Sequence, residues 1–109
     1  METKLFIEEK HLDIVYKILQ KHLSNRNFKV YVFGSRANGV HLKKSSDLDL
    51  ALEDPSGAFI ETRLIYDLSF DFEESDLPYV VDIIDLNSIS ETFREAITKQ
   101  GLLAIEPYI

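Results

Sequence analysis

Residues 47–53 read DLDLALE, and apolar residues fall on every second position. A period of two is the repeat of a β-strand. Leu48, Leu50 and Leu52 therefore share one face, and Asp47, Asp49 and Ala51 share the other. The leucine face needs a covering layer, and helical spacing elsewhere in the chain provides one. Leu12, Val15, Leu19 and Leu23 recur at helical intervals between Glu8 and Ser24. Ile60, Leu64, Leu68 and Phe72 recur every four positions between Ala58 and about Glu74, which predicts a second long helix.

Two further segments read as strands. KVYVF, residues 29–33, is β-branched and aromatic and ends at Gly34. YVVDIIDL, residues 79–86, comes after Pro78 as a nearly continuous run of β-formers, the pattern of a strand buried on both faces. RANGVHL between the first two strands predicts a short helical turn broken near Asn38-Gly39. Ser88-Ile-Ser-Glu91 resembles a capping box, Gly101 a helix stop, and Phe93, Ala96 and Ile97 give the helix between them its apolar side. LLAIEPYI adds a short strand or a tail, limited by Pro107. The order α, β, short α, β, α, β, α predicts an α/β (α+β) fold, a small mixed sheet with helices packed on it, as one domain over residues 1–109.

Composition narrows the function. At 109 residues the chain has room for one modest core, and 45% hydrophobic with 28% charged residues reads as soluble and globular. No apolar stretch is long enough to cross a bilayer, and the acidic METKLFIEEKH is not a secretory signal. The absence of cysteine excludes disulfides and thiolate metal sites, and a cytoplasmic location is the expectation. A net charge of −7 argues against broad nucleic-acid binding. It suits either plain solubility or a basic protein partner.

The chemistry gathers in the middle of the chain. Asp47 and Asp49 project from one strand face with Cα atoms about 7 Å apart. Such a pair either faces water or brackets a divalent cation, and Mg²⁺ prefers carboxylate oxygen. Gly34-Ser35 closes a strand and opens a short helix. It is either an ordinary capped turn or a phosphate grip built from backbone N–H groups and the Ser35 hydroxyl. Asp82 lies within VVDII, where an isolated carboxylate is costly to bury. It either turns to solvent or meets a cation. If its strand lies beside that of Asp47 and Asp49, three carboxylates converge, as in two-metal phosphoryl transfer. Asp85, on the opposite face, is read as ending the strand or capping the next segment. His11, His22 and His41 are scattered without metal-ligand spacing. Tyr66, Phe70 and Phe72 are read as core packing, the alternative being an exposed patch for a partner.

VFGSRANG, the stretch from Arg36 to Ser46, DLDL and the later Asp82 together resemble the polymerase-β-type nucleotidyltransferase superfamily. The short, helix-first layout resembles its minimal nucleotidyltransferase (MNT) branch, commonly encoded beside a HEPN-domain protein. Those pairs act as toxin–antitoxin systems in which the MNT protein neutralises a ribonuclease toxin, in studied cases by placing AMP on a toxin tyrosine. The resemblance implies an Mg²⁺-dependent nucleotidyltransferase using two ions and ATP. Gly34 and Ser35 would bind the triphosphate and Arg36 would steady a phosphate. Asp47 and Asp49 would hold both metals, and Asp82 would ligate the catalytic one and assist the acceptor hydroxyl. Lys43 and Lys44 read as a solvated loop, and Ser46 as a local hydrogen-bonding residue of the turn. No base pocket is evident, so a second copy or a HEPN partner is expected to complete the site. A contact-only binding module with a vestigial site is the alternative. A small-molecule modifier ranks last, since it needs an acceptor pocket.

Overall fold

The computed structural model describes residues 5–105. Helix α1 (Glu9–Leu23) leads into strand β1 (Lys29–Phe33), a single helical turn α2 (Ser35–Asn38) and strand β2 (Leu48–Glu53). Helix α3 (Thr62–Glu73), strand β3 (Val81–Asp85), helix α4 (Glu91–Gln100) and the short strand β4 (Leu103–Ala104) complete the order. The sheet order is β3-β2-β1-β4. β1 is antiparallel to β2 and β4, while β2 and β3 run parallel, joined through α3. Pro107 lies outside the described residues.

The alternation in DLDLALE is realised as expected. Leu48, Leu50 and Leu52 are fully buried against Val15 and Leu19 of α1 and Leu64, Leu68 and Phe72 of α3. Each such leucine contributes roughly 1.5–3 kcal/mol of burial. The other sheet face also finds a cover. Phe33, Ala51 and Leu86 pack with Ile97 of α4 in a smaller core. Arg94 of α4 anchors that helix to the sheet by donating to Glu53 Oε2 at 2.7 Å. Among the described residues no helix is long and apolar enough to cross a membrane.

Four local expectations are corrected. The second long helix starts at Thr62 rather than Ala58. The Ile60 N–H donates to Asp85 Oδ2 at 2.7 Å, and the Asn87 amide donates to the Asp54 and Ala58 carbonyls at 3.0 Å each. These bonds from the end of β3 hold residues 58–60 out of the helix while Ile60 still reaches the core. Asp85 thus ends β3 and serves its surroundings, as its phase suggested. The expected capping box is instead a simple cap, because Ser90 Oγ accepts from the Phe93 N–H and Ser88 Oγ turns back to donate to the Asp85 carbonyl. Only Ile97 of α4 is buried, since α4 covers a narrow strip of sheet and leaves Phe93 and Ala96 exposed. Finally, β3 is an edge strand. Ile83 and Ile84 reach the two cores, but Asp82 stays exposed.

The aromatic cluster divides. Phe72 is core, while Tyr66 and Phe70 are 68% and 55% exposed. Core packing was expected of all three, but at 100° per residue Tyr66 and Phe70 fall opposite the Leu64–Leu68–Phe72 stripe.

Candidate active site

The site is assembled where β1 ends and β2 and β3 begin. Asp49 is in register with Phe33 of β1 on one side and Asp82 of β3 on the other. In a parallel pair, residues in register project to the same face, with strands about 4.8 Å apart. Asp49 and Asp82 therefore stand side by side on the face that carries Ala51 and Ile84. Asp47 lies just before β2 and is exposed; Asp49 is half-buried. Burial raises the Asp49 carboxyl to about 6, and the charges of Asp82 and then Asp47 push it the same way. A half-buried carboxylate beside two like charges makes a site in need of a cation.

Gly34 faces this group directly. A Cβ built there would stand 2.5 Å from Asp49 Oδ2. The residue has φ 73° and ψ −156°, a region open essentially to glycine alone. The Gly34 carbonyl accepts from the Ala37 and Asn38 N–H groups at 3.0 Å each, which closes α2. The first N–H groups of that turn have no acceptor within the helix, as at any helix start. A stretch of bare backbone thus abuts a carboxylate, close enough that a phosphate received by the N–H groups of the turn would lie beside a cation held by that carboxylate.

The donor set fits a hard divalent ion such as Mg²⁺: carboxylate oxygens only, no compensating Lys or Arg among the causes of the Asp49 shift, and a backbone cradle for phosphate beside them. Among the described residues no group of three or more His, Asp or Glu side chains is already drawn into an ion-holding cluster.

Arg36 departs from the expected role. It is buried rather than free to steady a phosphate. Nε donates to the Ser46 carbonyl at 3.1 Å, Nη1 to the Phe6 carbonyl at 3.0 Å, and Nη2 to the Lys44 and Ser46 carbonyls at 3.0 and 2.9 Å. Its guanidinium carbon lies 3.9 Å from the centre of the Tyr79 ring. One side chain thereby joins α2, the loop delivering Asp47 and the segment entering β3 before Asp82. Arg36 is a positioning residue. The acceptors are backbone carbonyls, which leave no mark in the sequence, where only its place after Gly-Ser sets it apart. Ser46 closes the same loop: Oγ accepts from the Lys43 N–H at 2.8 Å.

Arg36→Lys keeps the charge but loses the fork. It is expected to lower stability by about 2–3 kcal/mol, the scale of lost charge-assisted hydrogen bonds. Amide exchange in residues 42–46 should quicken by at least tenfold. Unchanged exchange there would show that the loop holds itself.

A cleft of about 780 Å³ lies beside Phe6, His11, Lys43, Lys44 and Tyr79, and none of Gly34, Ser35, Asp47, Asp49 and Asp82 lines it. Its size does not make it the reaction centre, since the carboxylates and the glycine cradle are elsewhere. The Tyr79 hydroxyl is buried without a hydrogen-bond partner among the described residues. Burial holds its pKa above the ordinary phenol value, against the opposing charge of Arg36.

Residues 7–107 match the family model described as polymerase beta, nucleotidyltransferase. A probable protein adenylyltransferase MntA of Haemophilus influenzae is 43% identical over 99 residues, which span 89% of this chain and 81% of that protein. Among solved structures, a toxin–antitoxin with AMP-PNP superposes with a TM-score of 0.64 at 22% identity, over 84% of this chain and 69% of that one. A mutant of the toxin–antitoxin MntA–HpeT gives 0.59 at 19% identity, over 86% and 69%. At these identities the solved structures speak for the fold.

Proposed function

The chain belongs to the polymerase β nucleotidyltransferase family, and on that footing we propose that it is an Mg²⁺-dependent protein adenylyltransferase acting as an antitoxin. Its substrate is ATP, and its acceptor is a hydroxyl, a tyrosine of a HEPN-domain toxin encoded beside it. The reading rests on one observation above others: Asp49 and Asp82 stand in register on adjacent strands, with Asp47 beside them and the bare backbone of Gly34 against Asp49. The 43% identity to a probable protein adenylyltransferase supports the choice of AMP and of a protein acceptor.

Gly34 and the N–H groups after it receive the triphosphate, with Ser35 as an additional donor. Asp47, Asp49 and Asp82 are the residues that would hold Mg²⁺, which when bound supplies neutralisation of the charge developing on the phosphates. The acceptor oxygen attacks the α-phosphorus, the bond from that phosphorus to the β-phosphate bridge breaks, and pyrophosphate leaves. Asp82, the most open of the strand carboxylates, takes the acceptor proton.

The test is incubation of the chain with α-labelled ATP, MgCl₂ and the neighbouring HEPN protein, followed by mapping of the label. Label on a tyrosine of the partner is expected. Neutralisation of the toxin by a chain carrying Asp47→Asn, with no label transferred, would instead establish masking by contact alone.

A further inference from the structure

Helix α3 turns an aromatic face outward. Leu64, Leu68 and Phe72 fill the core, and the opposite side carries Tyr66 and Phe70 one turn apart, 68% and 55% exposed. Phe59, on the segment leading into the helix, is 73% exposed. Single exposed apolar residues are ordinary, but neighbouring aromatics on one helix face mark a contact surface.

The end of the same helix is acidic. Glu73, Glu74 and Asp76 are exposed, and the last turn holds no basic residue. Earlier carboxylates of α3 are answered: Asp67 by Arg63, and Asp71 by Lys21 and His22. No Lys, Arg or His among the described residues pairs with Glu73, Glu74 or Asp76. Negative charge at a helix C-terminus opposes the helix dipole, an unfavourable arrangement that cations from outside would relieve.

We infer that the outer face of α3 docks a partner protein whose apolar groove is rimmed by Lys and Arg. The acidic end repels nucleic acid and anionic lipid alike. A second copy would bring another chain of net charge −7, and its Arg63 is already engaged with Asp67. The face lies across the sheet from the carboxylates, because α3 packs on the leucine side of β2 while Asp49 projects from the other. The inference rests on the function proposed above for its probe, the HEPN protein encoded beside this chain.

The experiment measures affinity of the full chain for that HEPN protein by calorimetry at low and high salt. ATP affinity, label transfer and sedimentation are read on the same preparations. Tyr66→Ser with Phe70→Ser is expected to weaken partner binding at least tenfold, with ATP affinity and melting temperature unchanged. Glu73→Lys with Glu74→Lys should weaken it as well and flatten its salt dependence. Undiminished binding by the aromatic variant overturns the docking surface, and continued label transfer would leave the proposed function standing. Weakened binding in a system whose wild-type chain transfers no label keeps the surface and removes the adenylyl transfer. No binding by the wild-type chain overturns the surface, as does a dimer that the aromatic substitutions convert to monomer.

Discussion

Asp49→Asn is expected to reduce AMP transfer by at least about 10³-fold, the scale of removing several kcal/mol of charge stabilisation. The same change should make the protein more stable without Mg²⁺. Burial, Asp82 and Asp47 raise the folded-state Asp49 to about 6 from an ordinary value of 3.8. A raised carboxyl favours the protonated form in the folded state. Its contribution is therefore fully present below about pH 4 and is lost as pH rises through about 6. Above that range the folded protein carries an ionised carboxylate in an unfavourable place. The carboxyl is only half-buried, so solvent screening cuts the penalty to on the order of 1 kcal/mol. Asn removes the charge and should raise the melting temperature by about 4 °C at pH 7.5. Added Mg²⁺ should stabilise the wild type and leave the variant unmoved. Thermal unfolding between pH 4 and 8, with and without Mg²⁺, checks all of this. A variant less stable than wild type at pH 7.5 would mean that Asp49 already has a counter-charge.

Gly34→Ala should damage both fold and activity. The backbone angles there exclude a side chain at a cost of about 1–3 kcal/mol, and the new methyl would stand 2.5 Å from Asp49 Oδ2. The carboxylate, the turn or both must move. Total destabilisation of about 2–4 kcal/mol is expected, combining backbone strain with overpacking. Transfer should fall by about a hundredfold, because displacements near 1 Å at a reacting centre have that effect. Calorimetric unfolding and initial rates of label transfer measure the two parts. Gly34→Ala with full activity would show that nothing binds against this backbone.

The sequence exposes some of this better than the rest. DLDLALE declares its faces because leucine and aspartate differ sharply and the strand period is two. The meeting of Asp49 with Asp82 was conditional on strand order, which alternation alone does not determine; the parallel β2–β3 pairing supplies it. The start of α3 was hidden because Ile60 keeps the four-residue spacing while its N–H is taken by Asp85, 25 positions away. The burial of Arg36 was hidden for a related reason, as every hydrogen-bond acceptor it uses is main chain. Tyr66 and Phe70 differ from these cases. Their phase against Leu64 and Leu68 is readable in the sequence, and it sets them on the outer side of α3.

The Arg36 clamp has a consequence for how this protein can change. It grips residues 6, 44 and 46 only by their carbonyl oxygens. Every amino acid carries that oxygen, so the grip places no demand on which side chains occupy Lys43, Lys44 or Ser45. Their charge and size can drift, or be redesigned, while Asp47 arrives at the same place. Mutational scanning should find this loop tolerant of chemistry and intolerant of length, a surface on which selectivity can be rewritten without disturbing the reaction it borders.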